Sequence, residues 1–254
     1  SVFNVVATLL LLPFSRGLEK LAYLSIPETE EEKQQKEMGT LLDERFLEQP
    51  AFAMERCKKV AMTMAETAKQ GFFDAMSLLD EYDEKTARKV YQKEEEVDHY
   101  EDELGSYLVK LSSKNLSQQD AETLSMILHS ISDFERISDH AMNIEESARK
   151  IKEKEIVFSD KAKEELKVFE KIIQEILNLS VTVFLEEDSE QAREIEPMEE
   201  VVDRLTKKVK KRHIKRLEKG KCTMDAGLVL NDLVTNFERV ADHCSNIGVC
   251  VIQS

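Results

Sequence analysis

Carboxylates recur at helical spacing in two stretches of this chain. In Val90, Glu94, Val97, Asp98, Glu101, Leu104 and Leu108, and again in Ile195, Glu199, Val202, Asp203, Thr206 and Val209, acids share a 3-4-3 register with apolar residues. That register places them on the helix face a core requires. Two more acid pairs stand one helical turn apart, about 6 Å along the axis: Glu135 with Asp139, and Glu238 with Asp242. They lie at the edge of an apolar face whose middle, in the first copy, is Ile131, Ser138 and Met142. Four carboxylates gathered between helices would repel one another and lose hydration, at several kcal/mol per ion unless protons or cations neutralise them. Oxygen-only donor sets suit hard multivalent cations such as magnesium, manganese, calcium or ferric iron, with zinc also possible.

Spacing alone carries little weight here. About a fifth of the residues are acidic, so on the order of ten i, i+4 acid pairs arise by accident. The competing reading is that these acids face water and pair with Arg136, Arg239 and nearby lysines. Register and duplication favour a metal. His140 and His243 follow the Asp in both copies; at i+5 from the Glu they point away from the acids, which suits an interhelix or surface role better than ligation.

The elements that must position these groups are helices. Seven Gly and four Pro punctuate 254 residues of which 41% are hydrophobic, a composition for packed helical cores. The segment Phe134–Ile144, FERISDHAMNI, returns as Phe237–Ile247, FERVADHCSNI, identical at seven of eleven positions with an offset of 103. Glu94, Val97 and Asp98 return as Glu199, Val202 and Asp203 at an offset of 105. Both anchors recur in the same order, which marks an internally duplicated domain. Apolar spacing and end signals predict helices near Ala51–Leu79, Asp83–Leu111 and Ser117–Lys152 in the first copy, and near Asp160–Leu185, Ser189–Leu217 and Thr223–Ile252 in the second. Ser117 and Asp120 are in capping positions, and Gly220 marks a stop. Short connections make neighbours antiparallel, so the expected fold is all-α: two tandem three-helix bundles covering residues 50–155 and 156–254.

Ahead of them, Val2–Phe14 is apolar apart from Asn4 and Thr8 and is followed by Arg16 and Lys20. It is shorter than the roughly 20 residues of a membrane span and reads as the end of one, residues 1–26 forming the close of a last transmembrane helix. The positive-inside rule then puts everything after about residue 16 in the cytoplasm, at the cell membrane. Residues 27–49, strongly charged, read as a linker with partial order. The net charge of −15 argues against nonspecific nucleic-acid binding. Cys57, Cys222, Cys244 and Cys250 show no metal or disulfide spacing and read as reduced and structural.

On the paired elevenmers and acid motifs the chain resembles the PhoU domain family from about Pro50 to Ser254. The resemblance implies two three-helix bundles, no enzymatic activity, and multinuclear metal clusters, often of iron or zinc. Glu94, Asp98, Glu135 and Asp139 would form one site, and Glu199, Asp203, Glu238 and Asp242 the other. Ser138 and Ala241 stand where the family commonly has Gly. The apolar start is similar to the last membrane helix of bacterial sodium/phosphate cotransporters that carry a PhoU domain. The implied role is a regulatory domain of a phosphate transporter whose membrane part lies upstream in the same chain or in a separate one, with a homodimer as a further expectation. The alternative is a stand-alone adaptor that restrains a phosphate import system and its sensor kinase. A ferritin-like di-iron enzyme would need Glu-x-x-His on two helices; the one instance, Glu96 to His99, lies off the acid stripe.

Overall fold

The computed structural model describes residues 41–254. The expectation of a membrane-span end, and most of the charged linker, lie outside those residues. Residues 42–254 form one compact unit of six long helices: α1 (Pro50–Ser77), α2 (Glu84–Ser112), α3 (Gln118–Glu153), α4 (Asp160–Glu186), α5 (Ile195–Glu218) and α6 (Met224–Gln253). Among the described residues, no helix is long and apolar enough to cross a membrane.

Helix starts follow the sequence signals. Asp83 accepts hydrogen bonds from the backbone N–H groups of Lys85 and Thr86, and Ser117, Ser159 and Thr223 each cap the next helix by accepting from a backbone N–H three residues on; each cap satisfies a donor the helix leaves open. Gly220, with φ of 62°, turns the chain after α5, where a side chain would be strained. One expected helix is two: Ser189–Ala192 forms a separate turn capped by Asp188, and α5 begins only at Ile195. The end of the charged linker is folded onto the first bundle. A 3₁₀ turn, Glu44–Glu48, buries Leu47, Tyr107 donates to the carbonyl of Asp43 at 3.1 Å, and Lys110 reaches Glu44 at 2.6 Å.

Each repeat is a three-helix bundle, α1–α3 or α4–α6, and the two are welded along α3 and α6, which share one of the broadest helix contacts in the unit. The weld is made by the elevenmers. Phe134 of α3 packs edge-on against Phe184 of α4, with ring centroids 5.0 Å apart, while its counterpart Phe237 of α6 packs against Phe72 of α1 at 6.4 Å. Each repeat therefore plants an aromatic ring in the core of the other. All four rings are buried. The histidines after the motif acids complete the seam. His140 Nδ1 lies 2.8 Å from Asn236 Oδ1, His243 Nδ1 lies 2.8 Å from Asp133 Oδ1, and the two rings stand 5.6 Å apart. Asp133 and Asn236 are equivalent under the 103-residue offset, so the contact is pseudosymmetric. The interhelix role expected of both histidines is what the structure shows.

Symmetry breaks at the end of the third helices. Glu145, 1% exposed, accepts from the hydroxyls of Tyr82 at 2.8 Å and Tyr91 at 3.2 Å. Its counterpart is Gly248, where an added Cβ would come within 3.0 Å of Ile195 Cδ1. One repeat closes this corner with a hydrogen-bonded carboxylate, the other by close packing. The four cysteines are unbridged, and burial pushes the thiols of Cys57 and Cys244 up to about 12, which keeps them protonated and unreactive.

Candidate functional site

Glu94, Asp98, Glu199 and Asp203 occupy the rim of the bundles, not the core register expected for them, while the acids of α3 and α6 lie at the edge of the apolar face as expected. On α2, Val90, Val97, Leu104 and Leu111 form the buried heptad seam; along the neighbouring seam positions, Ala87 and Leu108 are buried at the ends while Glu94 and Glu101 are half-buried in the middle. Asp98 is exposed. The reason is geometric: one apolar seam spaced seven residues apart satisfies packing against α1 and α3, so the second row can open to water where it is charged. Glu135 and Asp139 on α3 are half-buried, as are Glu199 and Asp203 on α5 and Glu238 and Asp242 on α6.

In the first repeat Glu94, Asp98 and Asp139 are near enough to repel one another, without converging closely enough to enclose an ion. Glu94, Asp98 and Glu135 are all held above the usual carboxylate range, first by burial and then by mutual repulsion: Asp98 and Asp139 act on Glu94, and Asp139 acts on both Asp98 and Glu135. Among the described residues, a single cation side chain pairs with this group. Arg136 lies 3.4 Å from Glu135 and 3.2 Å from Asp139.

The second repeat holds the same acids and a different charge environment. Arg239 reaches Asp242 at 3.6 Å, Lys207 binds Asp203 at 2.6 Å, and Lys210 binds Glu238 at 3.2 Å. Asp203 is consequently held below the usual range, mainly by the Lys207 hydrogen bond, whereas its counterpart Asp98 is held above it. Burial raises Glu199 and Asp242. Under the 105-residue offset, Lys207 stands at the position of Asp102, and Lys210 at that of Gly105. Pairing with Arg136, Arg239 and nearby lysines, the competing reading of the sequence, is thus present at Asp139, Asp242, Asp203 and Glu238.

Among the described residues, no three His, Cys, Asp or Glu side chains converge closely enough to enclose a metal ion. The donor chemistry nonetheless differs between repeats. The first presents carboxylates whose desolvation and repulsion one arginine only partly offsets, which fits a hard cation. The second has two lysines hydrogen-bonded to its acids, so a cation must displace them.

Two acid-edged three-helix bundles joined through duplicated motifs define the class to which comparison with known proteins leads. The profile of the PhoU domain matches residues 61–148 and 166–251, spans that contain all eight motif acids, and the chain belongs to the PhoU domain family. It is 26% identical over 175 residues to the phosphate-specific transport system accessory protein PhoU homolog 1 of Thermotoga maritima, covering 68% of this chain and 75% of that protein. It is 19% identical over 196 residues to the corresponding PhoU homolog of Clostridium acetobutylicum, covering 76% and 88%. The crystal structure of PhoU from Pseudomonas aeruginosa superposes with a TM-score of 0.72 at 21% identity, over 78% of this chain and 94% of that one. The phosphate transport system regulatory protein PhoU from Streptococcus pneumoniae gives 0.71 at 18%, over 80% and 95%. The all-helical fold of two repeats is thus shared with solved PhoU structures.

Proposed function

We propose that this chain is a non-enzymatic regulator of phosphate transport, acting as a PhoU-type accessory protein. The carrying observation is that the family profile covers both repeats, motif acids included, while relatives that align over three quarters or more of their own length are named as accessory proteins of phosphate-specific transport. The test is complementation of a bacterium lacking its PhoU-family gene. With this chain supplied, phosphate uptake should fall back to the restrained level under phosphate-replete growth. Uptake that stays unrestrained despite normal expression would remove this reading.

Attachment to a sodium/phosphate cotransporter is a second reading, favoured by the apolar run at Val2–Phe14 and the basic residues after it. Translating the DNA upstream of the Ser1 codon separates the two: several apolar spans in frame identify a transporter tail, and a start codon immediately before it identifies an accessory protein.

The motif acids would serve this role by holding multivalent metal ions: Glu94, Asp98, Glu135 and Asp139 in the first repeat, Glu199, Asp203, Glu238 and Asp242 in the second. Raised carboxylates in the first repeat support this, since a bound cation relieves both burial and repulsion. Elemental analysis of protein purified without chelator or metal-affinity tag should find iron, zinc, manganese or magnesium, lost when the acids of both third helices are changed to Gln or Asn.

A further inference from the structure

From Lys207 to Lys221 the sequence KKVKKRHIKRLEKGK holds nine lysines and arginines and one acid, Glu218, in a chain whose net charge is −15. The structure sorts these cations into two groups. Lys207 and Lys210 bind the motif acids, and Arg212 and Arg216 both bind Glu165 of α4, at 3.2 and 2.8 Å. Lys208, Lys211, Lys215, Lys219 and Lys221 are exposed. None of the five has an ion-pair partner among the described residues. The first four follow one another at intervals of three, four and four residues and so form a single stripe along the outer side of α5.

Beside that stripe stand three large apolar side chains exposed to solvent: Ile214 at 55%, Met224 at 69% and Leu228 at 60%. Met224, Leu228 and Asn231 lie at i, i+4 and i+7 on one face of α6. Ile214 lines a small cavity together with Asn231, Leu230 and Val234, which places it on the same side of the α5–α6 pair. The nearby Asp225 is already engaged by Lys154 at 3.0 Å.

We propose that the α5–α6 turn is a docking surface for an anionic lipid membrane, with Lys208, Lys211, Lys215, Lys219 and Lys221 contacting headgroup phosphates and Ile214, Met224 and Leu228 entering the headgroup–acyl boundary. Unpaired lysines around apolar side chains are the composition that holds a helix at an anionic interface, where each lysine near the surface strengthens binding by about fivefold. An acidic protein partner fits less well. Protein hot spots seat an anchor side chain in a pocket, and the cavity at this surface is only about 70 Å³. The proposal is independent of the reading as a phosphate-transport regulator.

Flotation of the full chain with vesicles of phosphatidylcholine alone, or of phosphatidylcholine mixed with phosphatidylglycerol, tests it. The apolar run at Val2–Phe14 would partition into both, so the relevant reading is the difference between them. Preferential binding to the anionic vesicles is expected, lost at high salt. K211E/K215E/K219E should reduce that preference at least a hundredfold, and Leu228→Ser with Met224→Ser should weaken binding to anionic vesicles further. All five positions are exposed, and unchanged circular dichroism will establish that the variants fold. Equal binding to both vesicle types, or a preference untouched by the charge reversals, overturns the proposal. Binding to soluble polyglutamate without binding to anionic vesicles overturns it in favour of an acidic protein partner.

Discussion

The two repeats carry the same four-acid pattern and set it in different charge environments. In the first, Asp102 and Gly105 follow the α2 motif, and Asp98 sits among carboxylates with its acidity weakened. In the second, Lys207 and Lys210 occupy those positions and Asp203 is strengthened as an acid. Duplication fixed the fold and the acids, while Lys207 and Lys210, one and two turns past Asp203, draw Asp203 and Glu238 into ion pairs; Glu199, like Glu94, stays raised. A shared motif therefore does not imply a shared charge environment: Arg136 pairs with Glu135 and Asp139 in the first repeat, whereas Arg239, Lys207 and Lys210 pair with Asp242, Asp203 and Glu238 in the second.

The comparison assumes that the repeats, though electrostatically different, stand as one cooperative body. Phe237→Ala should cost about 3–5 kcal/mol and, because the ring packs on Phe72 across the seam, should destabilise both repeats in a single calorimetric transition. Two separated transitions would break the picture of a welded pair. At the asymmetric corner, Glu145→Ala leaves the hydroxyls of Tyr82 and Tyr91 without their acceptor and should cost about 1–3 kcal/mol. Gly248→Ala forces Ile195 aside and should cost a similar amount, about 1–3 kcal/mol. Denaturant melts of both variants check this.

Metal titration sharpens the contrast directly. With Mn²⁺ added to metal-free protein, the first repeat should fill before the second, and Glu94→Gln with Asp98→Asn should remove the tighter phase. Lys207→Gln with Lys210→Gln should bring the second phase towards the first, by about tenfold in affinity for roughly 1.4 kcal/mol of relieved competition. Calorimetric titration showing two indistinguishable phases in the unmodified protein would contradict the asymmetry.

The smallest effect is the dependence of stability on pH. Glu94, Asp98 and Glu135 have folded-state affinities for protons above their unfolded ones. Their contribution is fully present below the unfolded carboxylate range and lost as pH rises through the raised folded values. Metal-free protein should thus gain stability on mild acidification from neutrality, and Asp98→Asn should gain slightly at pH 7, by under about 1 kcal/mol given solvent screening. Asp203 has the opposite sign. Its pairing stabilises above the unfolded range and is lost as pH falls through its lowered folded value, so Asp203→Asn should lose stability at pH 7 in thermal melts.

Much of the fold was legible because its signals are local. Apolar periodicity, the cap at Ser117 and the stop at Gly220 act within a few residues of themselves, and the elevenmer repeat announced the duplication. The eight motif acids were legible as a pattern too. Their burial was not: whether Glu94 lies in the core or at its rim depends on which of two adjacent seams the neighbouring helices cover. The pairing of Lys210 with Glu238 was equally hidden, since the two come from different helices and the sequence does not state that distance.

By itself the sequence determined the helices, the repeat and the chemistry available to it, because propensity, capping and hydrophobic period are written in neighbouring residues. Only the tertiary structure decided that Phe134 and Phe237 would each enter the other repeat's core, that His140 and His243 would meet across the seam, and that Lys210 would reach Glu238 from a neighbouring helix. Those outcomes depend on distances between residues some thirty to more than a hundred positions apart in the chain, which packing alone sets.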